Sequence, residues 1–241
     1  MAHIYRFFGQ KVSEGHWSLD EDEARHAIKV LRLADQTQVE VMDGRGRVAS
    51  GRLVTESKSR ATVHEVSETY TEKDPFNRCV ILGALKPGDL DDLIAPLTEL
   101  GVDKLIIFLQ SDTAQFRLSD SAVERWRRLV RSAVKQSKRS WELELECAGD
   151  LASALKLAQK IPSRWMLTPD AASDVLTEIS STKSLSLGVA VLIGGEKGLS
   201  KAEESLASGQ GYRPVKLGPF VLRARTAAHA AAVFLGMLPR P

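Results

Sequence analysis

From residue 78 onward, short apolar runs alternate with longer segments in which apolar residues recur at helical spacing. Nothing else in the sequence restricts the fold as much. The runs at 78–84, 104–109, 164–167, 189–193 and 213–217 have the length and aliphatic content of buried strands. Helical segments are predicted between and after them, at 90–100, 121–139, 151–159, 200–208 and 223–237. Such alternation builds a parallel sheet covered by helices, so an α/β domain is expected. The stretch 141–146, Trp-Glu-Leu-Glu-Leu-Glu, alternates with period two and is predicted to be a strand with one wet face.

The first third of the chain has a different character. Residues 38–42 and 61–66 alternate, and the turn signal Asp43-Gly44-Arg45-Gly46 follows the first of these runs, which together indicate a β-rich domain with a hairpin. One helix interrupts it: Ser18 and Glu21 have capping-box spacing, and Ala24, Ile28 and Leu31 follow at helical steps. The polar stretch 68–77, with Pro75, is read as a linker. A chain of 241 residues accommodates two domains, placed at 1–70 and 74–241.

Composition excludes several classes. With 43% hydrophobic and 27% charged residues, the chain is neither disordered nor a membrane protein by bulk. Its apolar runs at 189–193 and 227–238 are too short to cross a bilayer. The N-terminus lacks the pattern of a secretory signal, so the cytoplasm is expected. Cys79 and Cys147 stand far apart without histidine at ligand spacing, so neither a disulfide nor a metal is expected. A net charge of +2 identifies no partner, but residues 117–139 hold Arg117, Arg125, Arg127, Arg128, Arg131, Lys135, Lys138 and Arg139 against Asp120 and Glu124. On a helix, Arg125, Arg128, Arg131, Lys135 and Lys138 form a basic stripe opposite Ala122, Trp126, Leu129 and Ala133. A solvated face and a nucleic-acid contact both account for such a stripe.

Open α/β sheets bind ligands beyond the carboxyl ends of their strands, and two glycine-bearing loops occupy such places. Residues 193–200, Ile-Gly-Gly-Glu-Lys-Gly-Leu-Ser, lead into a helix that Ser200 and Glu203 can cap reciprocally. The loop matches neither the phosphate-binding nor the dinucleotide fingerprint. Its glycines suit either a plain turn or close approach to a ligand with positive φ. Residues 215–223, Val-Lys-Leu-Gly-Pro-Phe-Val-Leu-Arg, lead into a helix rich in alanine. Ala227, Ala228, Ala230, Ala231 and Ala232 allow close packing within the chain or against a second copy, and they also raise helix propensity. Arg223, at the start of that helix, opposes the dipole unless it meets an anion or a carboxylate.

The two loops, in this order, resemble the signature of the ribosomal RNA small-subunit methyltransferase E family, of the knotted SPOUT class. That signature runs approximately I-G-P-E-G-G-x-S and L-G-x-R-I-L-R-x-E-T-A, matched here at 193–200 and 217–227. The segments 26–33, 41–44 and 90–102, together with Glu124-Arg-Trp126 and Gln136, extend the resemblance over nearly the whole chain. It implies a PUA-like β-barrel followed by a trefoil-knotted α/β methyltransferase domain, acting as a homodimer. The implied activity is S-adenosylmethionine-dependent methylation of N3 of a uridine in small-subunit (16S) ribosomal RNA, so ribosomal RNA or the small ribosomal subunit is the implied partner. The donor would lie on Leu167, Thr168, Pro169, Ile193, Gly194, Gly195, Gly198, Leu217, Gly218 and Leu222. Arg223 would stabilise charge on the uracil, and Glu196 would orient donor or base or serve the helix end. RNA would meet Arg25, Lys29 and Arg32 of the first domain and Arg125, Arg128, Arg131, Lys135, Lys138 and Arg139 of the basic helix. The sequence departs from the signature at Gly195 (proline), Lys197 (glycine), Phe220 (arginine) and Arg225 (glutamate), and again at Ser111-Asp-Thr-Ala114. These departures leave open a catalytically weak or inactive paralogue that binds RNA or assists ribosome assembly.

Overall fold

The computed structural model describes residues 4–110, 118–175, 177 and 187–238. Arg117 and the departure at 111–114 lie outside the described residues. The chain forms two compact units: Met1–Lys73 with Val134–Glu142, and Asp74–Ala133 with Leu143–Pro241.

In the first unit, β1 (Tyr5–Ser13), β2 (His16–Leu19), β3 (Gln38–Met42), β4 (Arg47–Ser57) and β5 (Arg60–Tyr70) close into a barrel of order β1-β2-β5-β4-β3. Every pairing is antiparallel except β1 with β3. Alternate residues point inward, so Phe7, Trp17, Val39, Val41, Leu53, Ala61 and Val63 fill the interior. The predicted hairpin joins β3 to β4. In its turn Asp43 Oδ1 accepts the N–H groups of Arg45 (2.7 Å) and Arg47 (3.1 Å), while Gly44 and Gly46 take left-handed φ of 70° and 99°.

Two local expectations fail here. Ser18 is no helix cap: it lies within β2, opposite Gln10 and Thr62, and its hydroxyl donates to Leu19 O. The residue ahead of α1 (Glu21–Arg25) is Asp20, which makes no side-chain cap bond. The helix runs straight into a π-helical turn over His26–Val30, burying Ala24 and Ala27 in the barrel core. The polar stretch from 68 is strand rather than linker as far as Tyr70, because Val48 pairs with Thr69 and Arg47 with Tyr70, and Arg47 Nη1 donates to Glu68 at 3.0 Å.

Residues 134–142 add to this unit. Gly46 N donates to Ser140 O, Glu142 N to Gly44 O, and Trp141 Nε1 to Thr71 O at 2.8 Å. The alternation predicted as one strand at 141–146 is therefore divided. Trp141 makes an isolated bridge with Arg45, and the strand proper starts at Glu144.

In the second unit, six strands among the described residues form one wholly parallel sheet. They are β6 (Asn77–Gly83), β7 (Lys104–Phe108), β8 (Glu144–Ala148), β9 (Ser163–Leu167), β10 (Gly188–Ile193) and β11 (Arg213–Val215), in the order β11-β9-β10-β6-β7-β8. All six residues of β10 are buried, as befits a strand covered on both faces. α2 (Pro87–Glu99) starts earlier than expected because Pro87 supplies helical φ at the first turn. α3 (Asp120–Gln136) ends earlier, since Lys138 takes φ 57°. α4 (Leu151–Leu157) is capped by Asp150, whose Oδ1 accepts Ser153 N–H at 2.7 Å. α5 (Lys201–Gly209) has both halves of the expected capping box between Ser200 and Glu203. In α6 (Ala224–Met237), Ala227, Ala228, Ala231 and Ala232 are buried within the chain, where the helix packs on β6, β10 and α2. Its C-terminal end is held by the buried Arg78, whose Nε donates to Leu235 O while Nη1 meets Asp74 and Asp103.

Candidate active site

The carboxyl ends of β9, β10 and β11 open onto one cleft of about 390 Å³, within the size range of small-molecule sites. All ten residues that the sequence placed around a donor line it. Three walls form it. The first is the segment after β9, held to β11 by Thr168 N donating to Val215 O and continued by Lys216, which exchanges bonds with Ser173 and Val175. That exchange ends β11 at Val215 rather than 217, because β9 has already turned away at Leu167. The second wall is the loop after β10, and the third is the segment after β11.

In the second wall the glycines do different work. A Cβ on Gly194 would stand 2.3 Å from the carbonyl carbon of Gly198, so the two arms of the turn are in backbone contact. Gly198 N donates to Gly195 O at 3.0 Å, and of the three glycines Gly198 alone has left-handed φ, at 76°. Gly218, in the third wall, has no atom within 4 Å of a would-be Cβ. The space beside it is open to the cleft that it lines.

Polar groups stand around the rim. Glu196 is half-exposed and faces Lys86 Nζ at 3.4 Å; the helix-end duty that its position allows belongs instead to Glu203. Lys201 Nζ lies 2.8 Å from Glu204, and that hydrogen bond holds the ammonium pKa above its ordinary value. Phe220 and Val221, each 79% exposed, project at the mouth. Both lie within the second loop that the resemblance assigns to the cleft, and at 220 the sequence departs from the arginine of the signature. Gln110, which no sequence signal marks, lies behind the second wall, where its side-chain amide bonds Gly195 and Gly198.

Arg223 is the residue ahead of α6, with an extended backbone and an exposed side chain that makes no ion pair or hydrogen bond among the described residues. It is not among the residues lining the cleft, although Leu222 and Ala224 on either side are. The ion pair that the helix start offers belongs to Arg225 rather than Arg223: Arg225 Nη1 meets Asp89 Oδ1 at 3.2 Å and Asp92 Oδ2 at 3.0 Å. Cys79 is no reactive group: burial pushes its thiol up to about 12.

The basic residues divide by partner. In α3, Trp126, Val130, Ala133 and Val134 are buried; Ala122 and Leu129, predicted for that face, are half-buried. Arg125 pairs with Asp91 at 3.0 Å, while Arg128 is exposed. In the first unit, Lys135 is held by Glu23 at 2.6 Å, Arg25 by Asp22 at 2.8 Å and Glu21 at 3.4 Å, and Lys29, Arg32 and Lys138 are exposed. Arg131 and Arg139 are half-buried. No cluster that could hold a metal occurs among the described residues, and no helix among them is long and apolar enough to cross a membrane.

Comparison with known proteins places this geometry. The RNA methyltransferase domain profile matches residues 72–236, and the RNA methyltransferase PUA domain profile matches 19–66. The chain is 27% identical over 232 residues to the ribosomal RNA small subunit methyltransferase E of Synechocystis sp., covering 95% of this chain and 75% of that protein. It is 29% identical over 234 residues to the protein of that name in Mycobacterium bovis, covering 91% and 86%. In fold it resembles the Neisseria gonorrhoeae ribosomal RNA small subunit methyltransferase E bound to S-adenosyl methionine, with TM-score 0.81, 22% identity and 96% of each chain covered. It also resembles a Legionella pneumophila protein solved with that cofactor bound, with TM-score 0.85, 22% identity and 97% of each chain covered.

Proposed function

Since the chain belongs to the RNA methyltransferase domain family, matched across 72–236, we propose that it transfers a methyl group from S-adenosylmethionine to N3 of a uridine in 16S ribosomal RNA. One observation carries the reading: three loops from β9, β10 and β11 converge on a single cleft at the carboxyl edge of a parallel sheet. The likeness to proteins named ribosomal RNA small subunit methyltransferase E, over more than nine-tenths of this chain, supports the choice of RNA.

The cleft suits the donor on its own chemistry. Leu167, Ile193, Leu217 and Leu222 offer apolar walls, the open position at Gly218 leaves room, and loop backbone offers amides and carbonyls to an adenine edge. The bound donor would supply an electrophilic sulfonium methyl. Glu196, which lines the cleft and faces Lys86, would accept a hydrogen bond from donor or base. Arg223, exposed and beside the cleft, is the cation that would offset negative charge developing on a uracil oxygen as N3 loses its proton. Phe220 offers an aromatic face at the mouth. N3 lies on the pairing edge, so the target base must be unpaired or turned out of its helix.

The proposed enzyme has a PUA-like RNA-binding domain at 1–70 and a trefoil-knotted methyltransferase domain at 74–241, and acts as a homodimer. The order β11-β9-β10, in which the chain passes from β10 across β9 to reach β11, supports the knot. Val233 and Met237, exposed on α6, support a second copy. A soluble location beside ribosomes fits the same substrate.

Mass spectrometry of 16S ribosomal RNA from a strain lacking the gene tests the function. One 3-methyluridine should vanish and return on complementation. An unchanged profile, with purified protein that binds RNA but not donor, would instead establish the RNA-binding paralogue that Lys197 and Phe220 leave open.

A further inference from the structure

Gln110 follows β7, is only 6% exposed, and stands outside the cleft, behind the 194–198 loop. Its Oε1 accepts the Gly195 N–H at 2.6 Å. Its Nε2 donates to Gly198 O at 3.0 Å and to the two carboxylate oxygens of Glu203 at 3.0 and 3.1 Å. That carboxylate also accepts Ser200 N–H at 2.7 Å and the Ser200 hydroxyl at 2.9 Å. One buried amide therefore ties both arms of the turn to the capped start of α5. Its orientation is fixed, because the reversed amide would set NH₂ against N–H and a carbonyl against a carboxylate.

The same amide explains two glycines. A Cβ on Gly83 would lie 2.4 Å from Gln110 Oε1, and one on Gly195 would lie 2.6 Å from it. Glycine at these positions makes room for Gln110 and, at 83, also for the Gly195 backbone, whose N would lie 2.5 Å from the added Cβ. The motif at 193–200 departs from its signature at 195, where proline would have no N–H to give; glycine supplies the one that Gln110 accepts.

We propose that Gln110 is a positioning residue of this transferase, which fixes the peptide planes of the 194–198 loop from behind and so sets affinity for the methyl donor without touching it. The proposal rests on the reading of the cleft as the donor site.

The test titrates S-adenosylmethionine into the full-length wild-type protein and into Gln110→Ala, Gln110→Glu, Glu203→Gln and Gln110→Glu/Glu203→Gln. Hydrogen exchange of the 194–199 segment is followed alongside. In Gln110→Ala the donor Kd should rise about tenfold, as expected for losing a few buried hydrogen bonds. Turnover at saturating donor should hold, and Gly195 should exchange faster. Gln110→Glu sets a second carboxylate against Glu203 and should bind more weakly still. Glu203→Gln in that background restores a donor opposite an acceptor and should recover part of the affinity. Cooperatively melting Gln110→Ala and Gln110→Glu proteins with wild-type Kd would overturn the proposal. So would a double variant no better than Gln110→Glu, which also decides the matter should Gln110→Ala fail to fold. A wild-type protein that binds no donor would overturn the cleft reading, and the proposal with it, and is told apart by the wild-type titration.

Discussion

Arg225 Nη1 lies 3.0 Å from Asp92 Oδ2, joining the first turn of α6 to α2, with Asp89 Oδ1 on the same nitrogen at 3.2 Å. The signature that this sequence resembles has glutamate at 225, and an isolated reversal of charge there would look like a lost function. Here the reversal has acidic partners on the helix packed against α6, so it reads as a change in how that helix is anchored.

Arg225→Ala should lower stability by about 0.5–1 kcal/mol, because all three groups are substantially exposed and solvent screens them. Arg225→Glu should cost about 1–2 kcal/mol, since it adds a carboxylate beside two others. Urea melts of the three proteins check the order. A glutamate variant as stable as wild type would show that the pairs contribute nothing.

Arg223→Ala should lose roughly 100- to 1000-fold in turnover while keeping donor affinity, as is typical when one preorganised electrostatic contact is removed. Lysine should restore only part, having the charge without the planar fork. Because Arg225 is engaged by Asp89 and Asp92, it cannot stand in for its neighbour, and Arg223→Ala/Arg225→Ala should turn over no more slowly than Arg223→Ala. Single-turnover methylation at saturating donor measures this. Near-wild-type rates for Arg223→Ala would leave Arg223 as a solvated residue at a helix start.

Valine at Gly194 and at Gly218 should separate turn from cavity. Gly194→Val forces a side chain into the Gly198 backbone and should both destabilise the protein by about 2–4 kcal/mol and abolish donor binding. The Cβ of Gly218→Val has no protein atom within 4 Å, so its melting temperature should stay near that of wild type while donor affinity falls more than about tenfold. Calorimetry and thermal melts report the two effects separately. Full affinity in a folded Gly218→Val protein would place the donor elsewhere.

For RNA, exposure and pairing sort the basic residues. Reversing Arg128 or Lys138 to glutamate should weaken RNA binding and flatten the salt dependence by about one unit of slope for each phosphate no longer neutralised. Lys135→Glu should act chiefly through stability, since it opposes Glu23 in a half-buried pair. Binding isotherms at several salt concentrations, with donor affinity as the control, distinguish them. Identical slopes in all variants would return the stripe to a solvated face.

The sequence is informative wherever a few neighbouring residues decide the outcome. The Ser200–Glu203 capping box, the Asp43–Gly46 turn and the buried run of β10 are settled locally, and each stands where expected. Ser18 and Glu21 have the same spacing as Ser200 and Glu203, yet Ser18 is held in β2 by Gln10 and Thr62, and tertiary pairing overrides the local signal. The alternation at 141–146 misleads for a similar reason: its two halves belong to different units. Gln110 is illegible because its partners lie 85 to 93 residues away, and no pattern of residue types announces a glutamine that braces a distant turn. Strand order is equally out of reach, since parallel strands are not neighbours by sequence.

That strand order has a consequence for biosynthesis. β9 is an inner strand that ends at Leu167, whereas its outer neighbour, β11, begins only at Arg213 and brings one wall of the cleft with it. A nascent chain paused anywhere before Val215 has two walls and no enclosed site, and parallel pairing over such a distance is slow. All five strands of the barrel have been made by Tyr70, well before the sheet of the second unit has its last strand. The third wall of the cleft is therefore the last of the three to be made, and the cleft is complete only once the chain beyond β11 is in place.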